Sequence, residues 1–253
     1  MLVLASFDTH LFWEALSSGP YWRGALTALE LSAASLAAAV LIGFFVALGA
    51  LSPLRAFRSV SWIYNWLFRA TPTLLQLFFI WYALPQLWTG FAQSWFTPFM
   101  AAWIALSLNE GAYMSEIIRS GLISVDPGQE LAGRALGMSR RRILRRVIVP
   151  QAVRIAIPPT GNEFITLLKL TSLASVISLH EILTASQELA VVKFQYTEPL
   201  LAALLYYLAI VSVLMLLQSR LERRFTFTSA GRGRGRRRRV TAPAVPVVAH
   251  DAR

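Results

Sequence analysis

Residues 110–121 read Glu-Gly-Ala-Tyr-Met-Ser-Glu-Ile-Ile-Arg-Ser-Gly. They lead into Asp126-Pro-Gly-Gln-Glu-Leu-Ala-Gly-Arg-Ala-Leu-Gly137, then through Arg140, Arg141 and Arg142 to Val147-Ile-Val-Pro150. An apolar stretch follows and ends in Lys169-Leu-Thr-Ser-Leu173. A punctuated, arginine-rich segment thus lies between two strongly apolar ones. In a membrane protein that keeps such a segment on its cytoplasmic side, it is a docking element.

The surrounding sequence is that of a membrane protein. Of the 253 residues 56% are hydrophobic and only 15% charged, where a soluble domain carries about a quarter charged. Residues 71–109 contain no Asp, Glu, Lys, Arg or His, and neither do residues 199–219. A helix needs about 20 apolar residues to cross a bilayer. The expected fold is all-α and polytopic, with five spans at about 22–51, 61–84, 96–118, 157–179 and 199–219. Trp81, Trp88, Trp95 and Trp103 bracket the second connection, as an interfacial aromatic belt does.

Lysine and arginine set the orientation. Arg55 and Arg58 lie in the first connection, while the second has no charge. The third, residues 119–156, holds Arg119, Arg134, Arg140, Arg141, Arg142, Arg145, Arg146 and Arg154. The fourth sets one Lys193 against Glu181, Glu188 and Glu198. The odd connections and the C-terminus are therefore expected inside and the N-terminus outside. Residues 1–21 form an extracytoplasmic segment, 22–225 the membrane domain and 226–253 a cytoplasmic tail. Within the tail, Gly231-Arg-Gly-Arg-Gly-Arg-Arg-Arg-Arg239 is low-complexity and expected to be disordered. Arg-Gly runs can bind RNA, but the chain's positive charge clusters beside the spans, which points to anionic lipid rather than nucleic acid.

The inside loop carries its own helix signals. Asp126 is a good N-cap, Pro127 suits the first helical position, and Gln129 completes a capping box. The helix is expected over 127–136, ended by Gly137 in the left-handed conformation. Leu131, Ala132, Ala135 and Leu136 share one apolar face, and the small Ala132 and Gly133 admit a partner's close approach. Ser139 caps a second helix, 140–149, stopped by Pro150. Three arginines in its first turn oppose the helix dipole, so local stability does not explain them. Lipid phosphates or an acidic partner surface do.

Taken in order, these motifs resemble the permease subunits of ABC importers, in the polar amino acid uptake branch. That family's loop reads Glu-Ala-Ala, three residues, Gly, nine residues, Ile-x-Leu-Pro. Here nine residues separate Gly137 from Val147-Ile148-Val149-Pro150. Matching flanks are Arg69-Ala-Thr-Pro-Thr-Leu-Leu-Gln-Leu-Phe78, Gly111-Ala-Tyr-Met-Ser-Glu-Ile-Ile-Arg119, Gly128-Gln129, Pro150-Gln-Ala152, Asn162-Glu163, Lys169-Leu-Thr-Ser-Leu173 and Leu221-Glu-Arg-Arg224. The likeness covers residues 22–225. Two positions depart from it. Aligned on Gly137, Glu-Ala-Ala falls on Leu131-Ala132-Gly133, with the nearest acid, Glu130, about 100° around the helix. Leu170 stands where the branch has Asp.

The resemblance implies five transmembrane helices, dimeric pairing with a second permease subunit as homodimer or heterodimer, a pair of separate ATPase subunits and an extracytoplasmic solute-binding protein. It implies that Glu130, Leu131, Ala132, Gly133, Leu136, Gly137 and Arg140 couple to the ATPase, which drives alternating access in the bacterial cytoplasmic membrane. The chain has no Gly-x-x-x-x-Gly-Lys-Ser/Thr phosphate loop, so the ATP-hydrolysing enzyme is expected to be a partner chain, and no cofactor is expected here.

Ionisable residues inside spans are costly and usually face a cavity. Glu163 suits the ammonium of a zwitterionic amino acid and Lys169 its carboxylate, although on a straight helix they point about 120° apart. Thr171 and Ser172 add neutral hydrogen bonds, and Asn162 and Glu110 join the candidates, with Asn109 and Glu30 weaker. Glu116 and Arg119 are expected to brace the loop. A secondary transporter or channel would show inverted repeats or matched broken helices, and neither is evident. His10, His180 and His250 are too scattered for a metal-dependent membrane enzyme.

Overall fold

A computed structural model describes residues 7–226. The expected tail, residues 226–253, falls outside this range apart from the helical backbone at 226, as do residues 1–6. Every regular element among the described residues is helical.

Helix α1 (Thr9–Ser17) is capped by Asp8, whose carboxylate accepts from the His10 and Leu11 amides. It lies in the segment read as non-membrane and packs on the last helix, whose Tyr206 hydroxyl donates to the Leu16 carbonyl at 2.8 Å. Helix α2 (Gly19–Ala50) is the first expected span and begins three residues before the expected position. Its buried positions include Gly24, Ala25, Ala28, Ser32, Ser35, Ala39, Gly43 and Ala47. Small residues recurring every three or four positions let two helices approach closely.

The second expected span, 61–84, is not one straight helix. Helix α3 (Arg55–Ala70) ends at Thr71, and α4 (Thr73–Phe78), a π turn (Phe79–Ala83) and α5 (Leu84–Leu87) continue after a bend of 103°. Pro72 is the reason. The residue before a proline is driven out of the helical region, and Thr71 is extended at ψ 143°.

Helix α6 (Pro98–Ile123) is the hub, the third expected span extended at its C-terminal end. Thr97 caps it, and Ala101, Ala105, Leu106, Glu110, Ala112 and Met114 are among its buried residues. Its most extensive contact is with α2. At the seam a Cβ on Gly43 would stand 2.7 Å from Met114 Cβ, and one on Gly111 would stand 2.8 Å from Ile42 Cγ2. The two backbones meet where neither can carry a side chain.

The loop helix α7 (Pro127–Ala135) is followed by α8 (Arg140–Ile143), a π turn (Leu144–Ile148) and α9 (Val149–Leu170). Pro150 was expected to stop the loop's second helix. Instead it sits in the first turn of α9, where its missing N–H costs little, and the π turn carries the chain across without a break. The fourth expected span therefore belongs to a longer rod. A 3-10 segment (Thr171–Ile177) extends it, ending at Ser178 in the left-handed region. Helix α10 (Ile182–Lys193) was not expected. Glu181 caps it by accepting from the Leu183 and Thr184 amides at 2.8 Å, and also accepts from the Tyr207 hydroxyl of α11 (Thr197–Thr226).

By length and composition α2 and α11 can each cross a membrane, and the two bent pairs, α3 with α4–α5 and α8–α9 with α10, raise the number to four. Helix α6 carries Glu110, Glu116 and Arg119 along its length. It lies at the centre of the bundle, where lipid does not decide its composition.

Candidate functional site

Helix α7 of the loop is closed by hydrogen bonds at both ends. The Asp126 carboxylate accepts from the Gly128 amide at 2.7 Å. At the other end Met138 N donates to Gly133 O and Gly137 N to Arg134 O, with Gly137 at φ +72°. Those two bonds satisfy the last carbonyls of the helix. Two details of the expected capping differ. The Gln129 side chain does not close a capping box but accepts from Gln151 Nε2 at 3.5 Å, which ties α7 to α9. Ser139 caps α8 with its backbone carbonyl rather than its hydroxyl.

The expected docking face is open. Leu131 is 67% and Leu136 80% exposed, and Ala132, Ala135 and Gly137 are exposed beside them, as is Arg140. Glu130 points along the helix to Arg134, at 2.5 Å. Gly133 is the correction. It is buried, and a Cβ there would lie 2.8 Å from Ile143 Cγ1. Its smallness admits the loop's own second helix, not a partner. The helical wheel could not reveal this, because Ile143 lies beyond the turn.

Inside the bundle, the side chains of Glu110 of α6 and Glu163 of α9 lie close enough to interact. Glu110 is 2% exposed, and its Oε1 has no donor among the described residues. Two carboxyls side by side in a desolvated place cannot both be ionised, so the pair carries at most about one negative charge.

The remaining candidates do not join them. Lys169 is exposed and makes no ion pair with Glu163 among the described residues. Asn162 is exposed and reaches α11, donating to Glu222 Oε1 at 3.5 Å. The Thr171 hydroxyl is fully buried and donates to the Leu168 carbonyl, and that of Ser172 donates to the Lys169 carbonyl. Both hydroxyls finish the end of α9. Glu30 is exposed on α2.

Sequence reasoning missed the polar clamp over the Thr71–Pro72 break. Gln76 Nε2 donates to the Phe68 and Thr71 carbonyls and to Thr71 Oγ1. Asn109 Nδ2 donates to Phe68 O at 3.1 Å and Gln76 Oε1 at 3.0 Å. These bonds satisfy backbone groups freed by the missing turn, which in a bilayer find no water. The signal was present as a Thr-Pro dipeptide whose proline lies four positions before a lone glutamine in an apolar run. Replacing Gln76 with Leu takes this donor from the Thr71 carbonyl and leaves Phe68 O with Asn109 alone, at about 1–3 kcal/mol. The Gln76→Leu protein should therefore melt several degrees below wild type in a detergent thermal-shift assay. An unchanged midpoint would show that the clamp carries no load.

A polar cleft of about 740 Å³ opens between α3 and α6 beside the clamp. Asn65, Arg69, Tyr113, Glu116 and Arg119 line it. Glu116 pairs with Arg119 at 2.8 Å and Asn65 bonds Ser115 at 2.9 Å. Asn65 Nδ2 also donates to Glu116 Oε1 at 3.4 Å, so Glu116 ties α6 to α3. Arg69 lies over the Tyr113 ring, 5.5 Å from its centroid.

Residues 39–227 match the protein family described as binding-protein-dependent transport system inner membrane component. The arginine transport system permease protein ArgU of Corynebacterium glutamicum is 42% identical over 211 residues, which cover 79% of this chain and 66% of that protein's length. The L-cystine transport system permease protein TcyB of Bacillus subtilis is 40% identical over 218 residues, covering 84% of this chain and 87% of that one. Among solved structures, an amino acid ABC transporter crystallised with histidines superposes with a TM-score of 0.74 at 34% identity. The match covers 85% of this chain and 94% of that one.

Proposed function

Because this chain belongs to the binding-protein-dependent transport system inner membrane components, we propose that it is the permease subunit of an ATP-driven importer of a polar or charged amino acid. It lies in the cytoplasmic membrane with five spans within residues 22–225, its N-terminal segment outside and its Arg-rich tail inside. It pairs with a second permease subunit, receives its solute from an extracytoplasmic binding protein, and is rocked between outward and inward openings by a pair of ATPase subunits.

The observation that carries this reading is the exposed Leu131 and Leu136 on a loop locked at both ends. A monomer gains nothing by presenting two leucines on a rigid helix away from the bilayer. A groove on the ATPase that receives α7 buries them, and the Gly133–Ile143 contact turns that docking into a push on α9, because α7, α8 and α9 form one packed unit. Glu163 lies on α9, so the solute site and the lever share a rod.

The Glu110–Glu163 pair takes the ammonium of the substrate, and Arg69, which has no carboxylate partner among the described residues, suits its carboxylate. Lys169, Asn162, Thr171 and Ser172 take part only if the paired subunit or a second conformation brings them to the path. Relatives named for arginine and cystine handle solutes with this zwitterionic head in common. Glu163→Gln keeps the shape and halves the site's acidity. It is expected to cut uptake of labelled amino acid at least about tenfold, the worth of one charge-assisted hydrogen bond, while basal ATP hydrolysis is retained. Uptake and substrate-stimulated hydrolysis both at wild-type level would remove Glu163 from the path.

A further inference from the structure

A second cavity, of about 850 Å³, lies between α2, α6, α9 and α11, apart from the carboxyl pair and the polar cleft. Leu41, Phe44, Met114, Val153, Leu217 and Leu221 typify its lining. Its few polar groups are already engaged. The Thr160 hydroxyl donates to the Ala156 carbonyl at 2.9 Å, and Gln218 Nε2 donates to the Pro158 carbonyl at 2.7 Å. A polar solute finds nothing to bond. The groove opens sideways rather than into the bundle, for Val153 is 50% and Leu217 53% exposed.

At one end the lining stripes run straight into arginine. Arg145 and Arg146 occupy the turn before Val149, which lines the groove on α9. Arg220 and Arg224 flank Leu221, which lines it on α11. All four arginines are exposed, and none has an ion pair or side-chain hydrogen bond among the described residues. An apolar slot that ends on unpaired cations from two helices matches an amphiphile with an anionic head. Basic pockets between spans at the inner face recognise such headgroups.

We infer that this groove is a binding site for one anionic phospholipid of the inner leaflet, its acyl chain between α9 and α11 and its phosphate on Arg145, Arg146, Arg220 and Arg224. The inference rests on the membrane orientation proposed above, but on neither the substrate nor the coupling. A free anion such as inorganic phosphate leaves the slot unfilled, and a zwitterionic lipid fills the slot but answers the arginines less well. The bound chain wedges the start of α9 against α11, so the site bears on the same rod as the loop.

Native mass spectrometry of the full chain, taken from nanodiscs of phosphatidylcholine mixed with phosphatidylglycerol, tests this. Wild type is expected to retain phosphatidylglycerol over phosphatidylcholine by at least about tenfold, as several arginines near a lipid surface dictate. Replacing all four arginines with Gln should abolish that preference, and Val153→Trp, which plugs the slot from an exposed position, should lower retention of both lipids. The Arg-rich tail is intact in every variant and cancels. Equal retention of the two lipids by wild type would overturn the inference. So would retention unchanged in both variants, or a Gln variant that loses an associated ATPase but keeps its lipid, which would assign the arginines to a protein surface. Retention needs neither solute nor nucleotide, so it stands or falls separately from transport.

Discussion

Leu131→Asp and Leu136→Asp should each lower ATP-driven uptake by an order of magnitude or more while the permease remains folded. Both side chains are mostly exposed, at 67% and 80%, so neither holds the chain together and a carboxylate there is hydrated at no cost. In a docked complex each leucine is buried. Burying one is worth about 1.5–3 kcal/mol, and every 1.4 kcal/mol is about tenfold in binding. An aspartate loses that and adds an unpaired charge to a desolvated contact. Thermal midpoints should stay within a degree or two of wild type, while ATPase co-purification and uptake fall together. Gly133→Leu should behave differently, because its side chain would strike Ile143. It should lower stability as well as coupling. Wild-type pairing and uptake in both aspartate variants would mean that the motor docks elsewhere.

Gly43→Val should be strongly destabilising. The new Cβ would stand 2.7 Å from Met114 Cβ and 2.8 Å from Ser115 N. The second of these is helix backbone and cannot swing aside. Helix α2 must lift from α6 along the most extensive helix contact among the described residues, and Ser115 must move while bonded to Asn65 across the α3 face. Overpacking of this kind costs about 1–3 kcal/mol where side chains can yield, and more where backbone is struck. Fluorescence-detected size exclusion after heating measures it. Gly43→Val should show a clearly lower midpoint and yield, with Gly90→Val, which has nothing within 4 Å of its Cβ position, close to wild type. Equal midpoints for the two would mean that the seam is looser than its geometry.

Much of this arrangement was legible in residue order. Asp126 and Gly137 mark the ends of α7 because N-capping and the left-handed residue are local chemistry. The long apolar runs of α2 and α11 mark spans for the same reason. What escaped was tertiary or lay in short helices. Hydropathy reads through Thr71-Pro72, since both flanking segments are apolar, yet the backbone turns there by 103°. Helices α1 and α10 are too short and mixed to stand out, and only the caps Asp8 and Glu181 announce them. Pro150 reads as a stop, and a π turn makes it a start. Glu163 was visible as a buried charge, but its partner Glu110, 53 positions away, was not, because no local pattern encodes which faces of α6 and α9 meet. Lys169 looked like its complement by charge, against a spacing that set it about 120° around the helix, and it is exposed.

Transport by the purified chain in liposomes, with and without its ATPase, binding protein and ATP, tests the central claim most directly. The account predicts accumulation of labelled amino acid only when all three are supplied, and none with this chain alone. Concentrative uptake by the chain alone, without nucleotide, would contradict it.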